Sequence, residues 1–316
     1  MFWFARRNND SSQLWIEKSN LQRADYSDFT NDRLLPAIMI WGQGTILEKI
    51  SEPQVKAWKG QGANPVALMR TSWTDPNAIY LGLKTGSPSV NHAHMDVGSF
   101  VMEANGVRWA SDFGMQAYES LESKGIALWG REQNAQRWTI FRLNNRAHNT
   151  LTINNQLQNV KGYAKIERFS DKPEFMFATT DLTSIYNSEL QSAKRGVAIV
   201  NQSYVVVNDE LETGNKPALV RWTMLTTATP ELKGKTIILT KDGKKLFLKI
   251  DSNLPVTLKT WSTTPTTDYD AQNPGTVLVG FEIKLEANAK KAFQVLLIPE
   301  TNNEKSTGFT KKLADW

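Results

Sequence analysis

From about residue 64 onward the chain is a series of short apolar runs, rich in Val, Ile, Leu, Phe and Thr, each closed by turn residues. That spacing excludes most folds at once, because runs this short are strands rather than helices. SFVMEA meets Asn105-Gly106 and continues as VRWASD. Asn-Gly tolerates the positive φ of a type I′ turn, so this pair predicts a hairpin. NTLTI and QLQNV flank Asn154-Asn155 and predict a second one. RGVAIV and YVVVND flank Asn201-Gln202-Ser203, and TIILT and KLFLKI flank Lys241 to Lys244. PVTLKTW, TVLVGFEIKL and AFQVLLIP complete the series. Together they predict a mainly β protein, a large antiparallel β-sandwich over residues 64–316.

Two regions depart from that pattern. Residues 1–63 mix helical and irregular signals, in WIEKSNLQRADYSDF and LLPAIMIWGQG, and predict one or two helices with connecting chain. YESLESKGIALWGREQNAQRW, residues 118–138, is polar and irregular. It reads as a long excursion off the sheet, where function is often carried.

Composition narrows the partners. No apolar run approaches the roughly 20 residues of a membrane helix. The start, MFWFARRNND, does not have the order of a signal peptide, because its arginines follow its apolar residues. With no cysteine, disulfides and thiolate metal sites are excluded. The net charge of +5 is scattered over the chain without a nucleic-acid motif. A polyanionic carbohydrate suits it, and the 11 tryptophans suit sugar stacking as well as they suit a core.

Only three histidines are present, and two of them, His92 and His94, lie in NHAHMDVGSF. In an extended segment both side chains point to one face. Asp112 ends the second hairpin strand, and His148 precedes the run NTLTI. Two imidazoles and a carboxylate with an open fourth position is a zinc arrangement. A two-residue turn at 105–106 pairs Ser99 with Asp112 and leaves His94 too far along the strand. Asn91–Val97 must therefore curl, with Gly98 at the bend; otherwise Asp96 is the ligand. Each piece has a plainer reading: a hydrogen-bonded structural His148, and turn chemistry at Asp112 and Asn149. A cupin-like metal barrel also uses His-x-His, but its glutamate follows within a few residues, and Glu103 is too distant.

Taken together, N-H-A-H-M-D-V-G-S-F-V at 91–101, A-S-D-F-G-M-Q-A-Y at 110–118 and A-H-N-T-L at 147–151 resemble the C-terminal β-sandwich domain of heparinase II/III-type polysaccharide lyases, relatives of the alginate and oligoalginate lyases. The resemblance covers residues 65–170 most closely. It implies an N-terminal (α/α) toroid, a C-terminal sandwich and a cleft between them. The implied reaction is β-elimination at uronic acid units of an acidic polysaccharide such as heparin, heparan sulfate or alginate. The implied compartment is the periplasm or the cell exterior.

By motif position, His92 matches the catalytic histidine of the sandwich. His94, Asp112 and His148 match the ligands of a structural zinc. Tyr118 and Arg131, on the long excursion, are candidates for the substrate cleft. The acid–base tyrosine of such lyases belongs to the toroid. Residues 1–60 contain no histidine, and their one tyrosine, Tyr26, stands in no matching motif. The chain therefore reads as the zinc-braced sandwich half of a lyase site, with the toroid as its missing partner. The alternative is a non-catalytic carbohydrate-binding or structural β module that retains the zinc site.

Overall fold

A computed structural model describes residues 1–23, 27, 31–305 and 311–316; Tyr26 lies outside them. Two compact units divide the chain, Met1–Lys56 and Ala57–Trp316. The first holds short helices, α1 (Phe2–Asn8), α2 (Lys18–Leu21) and α3 (Leu35–Trp41). A small core of Ala5, Leu14 and Ile50 holds it together. α3 buries none of its residues. No helix of the described residues is long and apolar enough to cross a membrane.

The second unit is built of three antiparallel sheets. The first sheet runs in chain order: β1 (Ala57–Gly60), β2 (Val66–Arg70), β3 (Tyr80–Lys84), β4 (Phe100–Ala104) and β5 (Val107–Ala110). β6 (Leu151–Ile153) belongs to a second, four-stranded sheet with β11 (Ala218–Thr226), β15 (Thr257–Trp261) and β16 (Val277–Leu285). The largest sheet has eight strands. They are β7 (Ile166–Ser170), β8 (Phe175–Asp181), β9 (Ser192–Val200), β10 (Tyr204–Glu212), β12 (Thr229–Lys233), β13 (Thr236–Lys241), β14 (Lys244–Asp251) and β17 (Lys290–Pro299). The expected antiparallel sandwich is thus present, and its first strand, β1, starts ahead of residue 64.

The turn chemistry shows why. Asn105 and Gly106 take φ of 54° and 70°, and Asp242 and Gly243 take 51° and 71°. These left-handed pairs match the twist of the strands they join. Asn201 and Gln202 do the same between β9 and β10.

The predicted hairpin at 151–160 does not form. Asn154 and Asn155 are left-handed as expected, but the residues after them are not a strand. The Asn154 backbone N–H donates to Leu219 O, and its side-chain Oδ1 accepts from Leu219 N, each at 2.8 Å. The pairing edge of β6 is taken by β11, 65 residues further along. The freed segment buries Gln158 instead.

One core connects the sheets. Phe100 of β4 packs on Trp222 of β11, with ring centroids 5.8 Å apart; Trp222 stacks on Phe281 of β16 at 5.6 Å; and Phe281 meets Phe293 of β17 at 5.6 Å. This chain of rings passes through all three sheets. Each ring contributes about 1.5–3 kcal/mol by burial. It anchors the end of β4 from which the histidine loop departs.

Candidate functional site

The loop before β4 is pinned by its apolar residues. Ala93, Met95 and Val97 are buried. Gln158 accepts from Val97 N (3.2 Å) and donates to Val97 O (2.9 Å). Arg137 donates to Ala93 O (2.8 Å). Gly98 takes φ 83°, and a Cβ there would lie 2.9 Å from Leu182 Cδ1, so this bend requires glycine. The curl of Asn91–Val97 and the bend at Gly98 are as the spacing required.

The two histidines nevertheless do not share a face. His92 has φ 59°. This left-handed residue breaks the extended alternation, so His92 is exposed while His94 turns inward.

His94 lies against His148, with ring centroids 5.4 Å apart. Ligand atoms of His94, Asp96 and His148 all fall within 4.8 Å of one another. Asp112 stands beside this group rather than in it: its Oδ2 accepts from His148 Nδ1 at 2.7 Å. The strand register contributes to that placement. A bulge between Met102 and Glu103 pairs Met102 with Ala110, one residue beyond the partner a plain two-residue turn assigns. Asp96, Asp112 and Lys84 line one groove of about 260 Å³, and Lys84 Nζ donates to Asp96 Oδ1.

The electrostatics suit a cation. Burial, with His148 close by, pushes the His94 imidazole down to about 4, leaving a neutral ring with a free lone pair. Burial pushes Asp112 up, but the His148 charge and hydrogen bonds from His148 and Gly114 outweigh it, and its carboxyl is held well below the usual carboxylate range. Burial pushes His148 down, yet the charge and hydrogen bond of Asp112 win and raise it. The ring's Nδ1–H therefore donates to a carboxylate. Its Nε2 is buried without a hydrogen-bond partner. A buried polar atom left unpaired is costly, and a metal ion at Nε2 removes that cost. His94, His148 and a carboxylate therefore fit zinc in chemistry, with Asp112 in the orienting position that a ligating histidine commonly has.

His92 belongs to a different cluster. α4 (Tyr118–Glu122) opens the excursion and brings Tyr118 to it. His92 Nδ1 and Tyr118 Oη are joined by a hydrogen bond of 2.9 Å, and the rings stack at 5.6 Å. Trp129 stands edge-on to both, 5.6 Å from His92 and 5.3 Å from Tyr118. Its Nε1–H donates to Glu122 Oε1 at 3.0 Å, yet the residue remains 55% exposed. Arg131 donates to Asn91 Oδ1 at 3.4 Å, so it too adjoins the histidine loop.

Two residues behind the site were missed or undervalued by the sequence reading. Arg195 is fully buried, holds Asp209 through two hydrogen bonds (2.7 and 2.9 Å), and donates to Gly98 O (2.8 Å) and Asn149 O (3.2 Å). It ties the His94 loop to the His148 loop. A signal existed: counted outward from the Asn201 turn, Arg195 stands opposite Asp209. Asn149 is no ordinary turn residue. Its Nδ2 donates to Phe100 O and Ser111 O, both at 2.7 Å, and its Oδ1 accepts from Leu225 N.

The family model described as Heparinase II/III-like, C-terminal, matches residues 65–292, and the chain belongs to this family. A crystal structure of heparinase III aligns with a TM-score of 0.65 at 14% identity, over 90% of this chain and 44% of that one. Heparan sulfate lyase HepC from Pedobacter heparinus aligns with a TM-score of 0.62 at 18% identity, over 92% of this chain and 42% of that one. At these identities the likeness shows the fold. The chain spans less than half the length of either solved relative. No curated protein matches it.

Proposed function

We propose that this chain supplies the sandwich face of a polysaccharide lyase site that acts by β-elimination at uronic acid units of an acidic polysaccharide, in the periplasm or outside the cell. A base removes the C5 proton of the uronate. The electron pair forms the C4–C5 double bond as the 4-O-glycosidic bond breaks, and the departing oxygen takes a proton. His92, with Tyr118 on its Nδ1, is the group that accepts or relays a proton on this face. Arg131, which adjoins the same loop, is a cation that meets an anionic group of the substrate. The observation that carries the reading is the conformation of His92: a left-handed, solvent-facing histidine, held in a strained backbone by a buried loop, is typical of functional sites.

The same proposal places zinc at His94 and His148, with Asp96 as the nearest carboxylate and Asp112 orienting His148. When bound, the metal would brace the His94 loop, which also carries His92, against the His148 loop. If Asp112 is instead the ligand that family resemblance implies, Asp112→Asn abolishes metal binding and Asp96→Asn spares it.

The test is incubation of the chain with heparan sulfate, alginate and hyaluronan, following the ultraviolet absorbance of the unsaturated product, alone and with a toroid domain supplied. The expected result is turnover on one substrate that His92→Ala removes. Absence of product on every substrate with the toroid present overturns the lyase reading. The burial of the metal group favours one second reading, a sugar-binding module braced by zinc, for which binding persists without product and is unchanged in His92→Ala.

A further inference from the structure

A groove of about 970 Å³ runs beside the histidine loop, lined among others by Ser89, Arg131, Glu132, Lys161 and Glu189. Arg131, which lines it, donates to Asn91 next to His92. Its apolar lining comes from Leu157 and the buried Val160, which pack together. Its frame is rigid: Ser89 Oγ donates to Val160 O (2.6 Å), Val160 N donates to Gln133 Oε1 (3.0 Å), and Asn159 Oδ1 accepts from Lys161 N (3.0 Å).

The charges in it are unevenly engaged. Glu132 accepts from the Arg131 backbone N–H at 3.0 Å, and Glu189 accepts from Asn154 Nδ2. The two cations lack such partners. Lys161 Nζ makes no hydrogen bond or ion pair among the described residues, and the Arg131 guanidinium has one long hydrogen bond to a neutral amide and no carboxylate. Both acids face neutral donors, and the two cations without carboxylate partners are the positions at which the groove can meet an anion.

The geometry points to this groove as a binding subsite for an anionic sugar unit, a sulfated or carboxylated pyranose that flanks the linkage placed at His92. Lys161 and Arg131 pair with its anionic groups, and the ring packs on Leu157 and Val160. The inference rests on the reading that the chain meets an acidic polysaccharide, and it adds Lys161 and the direction in which the sugar chain extends.

Isothermal titration calorimetry on the full chain tests it, with a heparin-derived hexasaccharide as probe and a neutral maltohexaose as control. The anionic probe is expected to bind, less tightly as salt rises. Lys161→Glu and Arg131→Gln are each expected to weaken binding about three- to tenfold. No binding by the wild-type chain, equal binding of the neutral sugar, or unchanged affinity in Lys161→Glu overturns the subsite. Its failure is separable from that of the lyase reading. Binding lost in Lys161→Glu without any unsaturated product keeps the groove and removes the lyase. Product formed by Lys161→Glu at unchanged KM keeps the lyase and removes the groove.

Discussion

His92 and His94 are separated by one alanine, yet their surroundings have little in common. His94 lies over a buried polar assembly in which His148, Asn149 and Arg195 are fully enclosed. His92 lies in an exposed aromatic cluster with Tyr118 and Trp129. One side is organised for permanence and the other for access. The lesson is that a histidine pair need not be one site: a single left-handed residue sends imidazoles two positions apart into different surroundings.

The largest expected effect is at the bottom of the buried side. Arg195→Leu leaves Asp209 as an unpaired buried charge and frees both loops, so a loss of about 3–5 kcal/mol is expected in denaturant unfolding. A loss below about 1 kcal/mol would break the claim that this side carries the stability. His148→Ala is next, with an expected cost of about 2–4 kcal/mol. Tightly held zinc, measured by metal analysis, should disappear with it. A chelator should lower the wild-type Tm and leave that of His148→Ala unchanged.

Asn149→Ala strands two carbonyls and one N–H and should cost about 1–3 kcal/mol in the same unfolding measurement. The two aspartates sharpen the metal side. Asp96→Asn should remove the bound metal, while Asp112→Asn should lower zinc affinity about 10- to 100-fold through a misdirected His148, as read by competition with a chromophoric chelator.

The smallest stability effect belongs to His92 and has the opposite sign. Glycine accepts its backbone without strain, so His92→Gly should raise stability by about 0.5–1 kcal/mol. Its turnover, where the chain turns over substrate, should fall about 10²- to 10⁴-fold. A destabilised His92→Gly would place His92 with the buried side after all.

Much of the fold was legible. The Asn105-Gly106 and Asp242-Gly243 turns were readable because a left-handed pair between alternating strands has few other uses. The curl before Gly98 was expected so that His94 and Asp112 could share a metal; the bend is present, but the group gathered there holds Asp96 instead. The hairpin at Asn154-Asn155 was misread, because the same turn chemistry serves a chain that simply leaves the sheet once β11 claims its edge. His94 and His148 were legible as a pair. The carboxylate beside them was less so: both aspartates line one groove, and which oxygen stands nearest depends on a bulge that no local pattern announces. Tyr118 was named without its partner, and its contact with His92 spans 26 residues of irregular chain.

The sequence by itself determined the class of fold, the turns and the residues able to carry chemistry. These depend on side-chain type and on neighbours a few positions away, where sterics and alternation act directly. The tertiary structure decided which of those residues meet. It set His148 between Asp112 and His94, gave Asn149 and Arg195 their partners, and turned His92 outward. Such contacts join loops from different sheets. They depend on register, bulges and burial across the whole core, where a one-residue displacement changes the face a side chain occupies.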